Sequence, residues 1–190
     1  NAANLSGTIH TTGFQNYGGA VTLVGDTTLQ GTFGEFLSGM DGQANNLQLE
    51  FSSETEINGS TAFANIGDLS STGPVRLRGA ISTSGFQNYG NTTTLFGDTT
   101  LNTGGSGNVS FGNTVDGSHD LAIEAGTGRV DFFGALGASA PLQSLNLASA
   151  AAVQANSTLA IDGTGGSGPG LRVGPNVDNL NIVQPGSAIS

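Results

Sequence analysis

The sequence predicts an all-β chain wound as a parallel β-helix, a β-solenoid of about eight coils with three parallel sheets. The first observation behind this is a duplication. Ile9–Leu29 reads IHTTGFQNYGGAVTLVGDTTL and Ile81–Leu101 reads ISTSGFQNYGNTTTLFGDTTL; with Ile9 set on Ile81, they agree at 15 of 21 positions. An internal repeat sets the architecture class before any local motif is weighed. The second observation is short-range alternation of apolar and polar residues from end to end, the pattern of half-buried strands. The third is its recurrence. Leu121/Ile123 returns as Leu145/Leu147, and Leu147 is followed by Leu171 after the same interval, which lies within solenoid repeat lengths.

Taken in order, each copy of the duplicated stretch opens with a polar turn. Each ends in strand residues, Thr22-Leu23-Val24 and Thr94-Leu95-Phe96, leaving no room for a helix. Leu47/Leu49/Phe51, Val75/Leu77, Val109/Phe111, Leu121/Ile123 and Val130/Phe132 then supply one apolar face each. Leu145/Leu147, Leu159/Ile161, Leu171/Val173 and Leu180/Ile182 continue the series, each pair reading as one face of a strand of about five residues. Between them stand Gly25-Asp26, Asp41-Gly42, Asp116-Gly117, Gly126-Thr127-Gly128 and Asp162-Gly163, residue types that supply the positive φ of tight corners. Ala148–Ala155 (ASAAAVQA) is rich in helix-forming Ala but lies between two strand pairs, and it reads as a strand of small residues. Leu47-Gln48-Leu49-Glu50 is answered by Leu121-Ala122-Ile123-Glu124 at nearly the same shift as the duplication, so the repeated unit reads as about three coils. Phe14 and Phe86 read as core residues. With no Trp and two Tyr, a β-sandwich is the weaker architecture. The organisation expected is 1–162 as β-helix repeats and 163–190 as a Gly-rich turn with a divergent C-terminal coil or cap. The rod would be roughly 40 Å long, with open sheet edges at both ends.

Composition bounds the function. Four Lys+Arg against 14 Asp+Glu give a net charge of −10, and Gly accounts for 32 of 190 residues. The basic residues Arg76, Arg78, Arg129 and Arg172 are too few for the clustered cations that nucleic acid or anionic lipid demands. No apolar run approaches the length of a membrane helix, roughly 18 residues at the least. With no cysteine, disulfides, thiolate catalysis and Cys-based zinc sites are excluded together. Low charge with 36% hydrophobic residues argues for a folded chain rather than a disordered one.

The words GNVSFGNTVDGSHDLAIEAGTGRVDFFGALGASAPLQSLNL (Gly107–Leu147), with the twice-used FQNYG and GDTTL, resemble the repeats of filamentous haemagglutinin-like bacterial adhesins. The resemblance covers Ile9–Leu29 and Thr72–Ile161 well and Thr32–Ser71 loosely, while the Gly163–Ser190 tail departs from it. It implies a right-handed parallel β-helix, export to the cell surface, and a part in adhesion or an extracellular matrix. It carries no catalytic residue.

Several polar clusters invite a chemical reading. Thr27-Thr28, Thr92-Thr93-Thr94 and Thr99-Thr100 suit a ligand-binding hydroxyl row, but Thr is also an ordinary strand residue on a solvated face. Asp26, Asp41, Asp98, Asp116 and Asp162 offer oxygen ligands, yet no calcium-loop spacing holds them. They read as turn formers, with weak Ca²⁺ binding the alternative and no other cofactor expected. Glu50, Glu54 and Glu56, with Glu124 and Asp131, could pair as glycosidase carboxylates, but the aromatic platforms and basic groups of a long substrate cleft are missing. Arg76 and Arg78 share a strand face and are expected to pair with those acids. His10 and His119 lack a partner at metal-ligand spacing and read as surface residues. Asn16, Tyr17, Asn88 and Tyr89 are the repeated polar words, read as hydrogen-bonding ladder positions first and as sugar contacts second. The expectation is a non-enzymatic structural or adhesive segment, secreted or at the cell surface, with glycans or further copies of itself as partners. The alternatives are a filament subunit stacking end to end by sheet-edge pairing and a polysaccharide-acting β-helix enzyme.

Overall fold

The computed structural model describes residues 2–163 and 170–182. Alternation of small β-branched and aliphatic residues with polar ones produces seventeen strands and no helix among the described residues. Every strand pairing is parallel. The strands wind into a β-solenoid of about seven turns, and each coil contributes three faces. The first face is the ladder running through Leu29, Leu49, Ser71, Tyr89, Phe111 and Phe132. The second runs through Phe36, Ile57, Leu77 and Leu95. The third runs through Val21, Met40, Phe63, Ile81, Leu101, Ile123 and Leu147. Long strands such as Val21–Phe36 and Leu47–Ile66 continue around the corners from one face to the next. Ala148–Ala155 is strand, divided between Ser144–Ala150 and Ala152–Ala155.

The inward residue of each rung stacks on its equivalent one coil away, so a mainly apolar column fills the rod, interrupted by polar positions such as Ser71, Gln87 and Thr93. Leu23, Leu49, Ile57, Phe63, Leu77, Ile81, Phe111 and Leu121 are all buried, each contributing on the order of 1.5–3 kcal/mol. Aromatic rings share this column on the first face. Tyr89 stacks on Phe111 at 5.3 Å and Phe111 on Phe132 at 5.2 Å between ring centroids, nearly parallel in both cases. The coils are not uniform in length. The step from Leu69 to its rung partner Gln87 is much shorter than that from Val153 to Leu180, because corners absorb extra residues without disturbing the rungs. The described part of the tail, 170–182, extends the ladders, with Leu171–Val177 on Ser144–Ala150 and Leu180–Ile182 on Ala152–Ala155. Most of the Gly163–Gly170 turn lies outside the described residues.

Two readings from the sequence are corrected. The duplicated unit is not three whole coils. Gln15–Tyr17 lies on the second face and Gln87–Tyr89 on the first, so the duplication advances three coils and two further faces. The pairing itself is copied residue for residue. Ala3↔Val21, Leu5↔Leu23, Gly7↔Thr27 and Ile9↔Leu29 on the third and first faces become Val75↔Thr93, Leu77↔Leu95, Gly79↔Thr99 and Ile81↔Leu101 on the second and third. Gly7 and Gly79 sit at the same register break with φ of 71° and 81°, a backbone state open to Gly at little cost. The structural unit is therefore one face, a third of a coil. The second correction concerns Phe14 and Phe86. They are 76% and 42% exposed, because Gln15 and Gln87, next in the strand, turn inward and alternation sends the phenylalanines out.

Candidate functional site: two related grooves

The repeated word places a polar cluster at one corner in each copy. Gln87 is fully buried; its Nε2 donates to the carbonyls of Ile81 (3.3 Å) and Asn102 (3.0 Å) and to Thr83 Oγ1 (3.3 Å). Its Oε1 accepts from the Tyr89 hydroxyl at 3.0 Å. Gln15 repeats the set with Ile9, Gln30, Thr11 and Tyr17. These bonds hold the bend between two faces and satisfy a buried amide that would otherwise be costly. Burial pushes the phenol pKa of Tyr17 and, more strongly, of Tyr89 upward, so both remain donors. Tyr17 is half-buried and stacked on Phe36 at 4.9 Å. Asn16 and Asn88 point outward. Asn16 donates to Glu35 on the second face, and Asn88 lies in the outward row of the first face between Ser70 and Ser110. The structure thus brings Tyr89 into the interior, leaves Tyr17 half-buried against it and leaves the two asparagines on different faces.

The remaining candidates fall into local pairs. Arg76 bonds Glu56 at 2.9 Å and reaches Glu54 at 4.0 Å, and its guanidinium lies 4.7 Å from the Phe96 ring centre. Desolvation raises the Glu54 pKa, and Arg76 opposes that rise. Glu50 accepts from Gln30 and Gln48, Glu124 from Asn102, and Asp131 from Arg129. Asp41 accepts from Asn65 and Gln43, which holds its pKa below the ordinary carboxylate value. His10 is exposed at a strand end, and His119 Nδ1 lies 3.7 Å from Asp98 Oδ1. No group of three or more His, Cys, Asp or Glu among the described residues is arranged to hold a metal ion.

What sequence reasoning missed is the second use of the turn carboxylates. An Asp or Asn stands immediately before the inward residue of many rungs: Asp26, Asn46, Asp68, Asp98, Asn108 and Asp120. Each clips its coil to the next. The backbone N–H of Asn46 donates to Asp26, that of Asp68 to Asn46, and that of Phe86 to Asp68, at 2.8–2.9 Å. On the third face the Asp120 N–H donates to Asp98 at 3.2 Å, and the Ser144 hydroxyl donates to Asp120 at 2.7 Å. The Asp26, Asn46 and Asp68 clips form one wall of an open groove running along the rod, and the Asp98 and Asp120 clips one wall of another. The first groove, about 380 Å³, has the outward Thr28, Gln48 and Ser70 on its floor and Phe86 at one end. The second, about 360 Å³, has Thr100, Ala122 and Asn146 in those floor positions. Gly7, Asp26, Thr27 and Thr28 in one are Gly79, Asp98, Thr99 and Thr100 in the other, each pair separated by the same interval as Ile9 and Ile81. The duplication supplies this part of both grooves, while Asn46, Gln48, Asp68, Ser70 and Phe86 in the first and Asp120, Ala122, Ser144 and Asn146 in the second lie outside it. Their chemistry is that of hydroxyl, amide and carboxylate hydrogen bonding, with no basic side chain in either lining.

No helix among the described residues is long and apolar enough to cross a membrane. Comparison of the chain with protein-family models, with curated proteins and with solved structures gave no match.

Proposed function

We propose that this chain is a non-catalytic structural and adhesive segment of an exported bacterial surface or extracellular-matrix protein. The observation that carries the reading is the outward row of the first face. Thr8, Thr28, Gln48, Ser70, Asn88 and Ser110 stand in register on successive coils, a periodic display of hydrogen-bonding groups about 4.8 Å apart on a rigid support. The pairs Glu56 with Arg76 and Asp131 with Arg129 support the same reading, since they are engaged with one another rather than facing a cleft. A fluorescently labelled rod, applied to bacterial cells, animal cells and isolated extracellular matrix, tests the proposal. Saturable retention on at least one of these surfaces is expected. Retention on none of them removes the adhesive function.

A further inference from the structure

We infer that the two grooves are a pair of binding sites for neutral polysaccharide, facing different directions, and that the rod cross-links glycan strands. This rests on the adhesive reading and gives it a ligand and a geometry. Each groove runs parallel to the rod axis over four rungs, from Gly7 to Ser70 in one and from Gly79 to Asn146 in the other. Three steps of about 4.8 Å give a trough of about 14 Å, long enough for a short run of sugar rings. The floor offers donors and acceptors at each step, as Thr28, Gln48 and Ser70 do in the first groove. The exposed ring of Phe86 closes that groove with an apolar surface, suited to the C–H face of a pyranose. In the second groove Asn146 lies on the floor in register with Ala122 and adds a side-chain amide to the lining.

Charge selects the class of sugar. Asp26 and Asp68 wall the first groove and Asp98 and Asp120 the second, on a chain of net charge −10. Like charge on a sulfated or uronic-acid polymer is repelled at such a surface, whereas a neutral polyol loses nothing. The direction of the two grooves follows from the duplication. Its advance of three coils and two faces puts the groove built on Thr28 on the first face and the groove built on Thr100 on the third, about 18 Å further along the axis. Two sites turned away from each other cannot grip one straight strand together. They hold two strands, and linked sites of this kind join polymers without high affinity at either one.

The test mixes the rod with dextran, galactomannan and xyloglucan, with alginate as the acidic comparison. Calorimetry with oligosaccharide fragments of whichever polymer binds should give two sites per rod. Viscosity of the intact polymer should rise at intermediate rod concentration and fall again in excess rod. The paired changes Gln48→Ala with Phe86→Ala alter the first groove, and Thr100→Ala with Asn146→Ala alter the second. Either pair should halve the stoichiometry and abolish the viscosity rise while leaving binding at the other groove. A stoichiometry of one in the unaltered rod, cross-linking that survives both variants, or a preference for alginate overturns the inference. So does a lack of binding to all three neutral polymers. If the rod then still adheres to cells or matrix, the adhesive reading stands with a different ligand. If it adheres to neither, both fail.

Discussion

Two buried hydroxyls in this rod carry opposite energetic signs, although each is a single oxygen inside the column. The Tyr89 hydroxyl donates to Gln87 Oε1 inside a closed network, so Tyr89→Phe leaves a buried carbonyl oxygen without its donor and should cost about 1–3 kcal/mol. Thr93 is 1% exposed and its Oγ1 has no partner among the described residues. Its neighbours in the same inward column are Val75 and Val115, so a valine side chain already fits the stack on either side. Thr93→Val should therefore raise stability, by up to about 1 kcal/mol. Urea unfolding of the two variants checks the pair, and equal shifts of the same sign would show that the hydrogen-bond accounting is wrong. The sequence made part of this legible. Gln15 and Tyr17 sit two apart, as do Gln87 and Tyr89, and strict alternation turns both of each pair the same way. Hydrophobicity, weighed above alternation, sent Phe14 and Phe86 to the wrong side. Gln87's own strand did not announce that a glutamine would be buried, because its partners Ile81 and Thr83 end the preceding strand and Asn102 ends the strand after it.

At the scale of one face, the corners decide what the strands are able to do. A corner must bring two backbones closer than side chains permit, and at Gly73 a Cβ would stand 1.8 Å from the Phe51 carbonyl oxygen. That atom is backbone in the neighbouring coil and cannot rotate away. Gly73→Ala should therefore force the coils apart and lower the midpoint of thermal unfolding, at a cost above that of an ordinary Gly→Ala change. Gly13, at another corner, has open space where its Cβ would be and no positive φ. Gly13→Ala should be neutral or slightly stabilising through the unfolded chain. Differential scanning calorimetry of the two variants reads both effects, and equal losses would mean that crowding at Gly73 is not what selects glycine there. The strands between corners were legible because inward and outward positions alternate within each short segment. The corners were not, since their length varies and the atom each crowded glycine avoids lies a whole coil away in sequence. The same is true of the grooves: their floor residues Gln48, Ser70 and Asn146 become neighbours of Thr28 and Thr100 only once the register of several coils is known.

For the whole molecule, the third-of-a-coil unit makes a demand stronger than ordinary repeat symmetry. Solenoids tolerate loss or gain of whole coils because each contacts only its neighbours. Here the duplicated segments lie on different faces, yet the pairings of residues 3–10 with 21–30 and of 75–82 with 93–102, and the Gln–Tyr hydrogen bonds, match residue for residue. The three faces are then interchangeable where these words occur, and a rod can be shortened by a non-integral number of coils. Deleting residues 14–85 joins Gly13 to Phe86 and places Ile9 where Ile81 had been, opposite Leu101. Ala3, Leu5 and Gly7 likewise take the rungs of Val75, Leu77 and Gly79, so the inward positions opposite Thr93, Leu95 and Leu101 stay filled, with a smaller side chain at Ala3. The shortened chain should fold cooperatively with an undiminished β signal in far-ultraviolet circular dichroism. It should also retain the second groove while losing the first. Its calorimetric stoichiometry for a bound oligosaccharide would fall to one, and its cross-linking would vanish without any point substitution. A deletion product that is unfolded or aggregated would show that the faces differ in ways the registers conceal. A product that folds and still cross-links would separate the grooves from the binding, while leaving the screw relationship between the two halves intact.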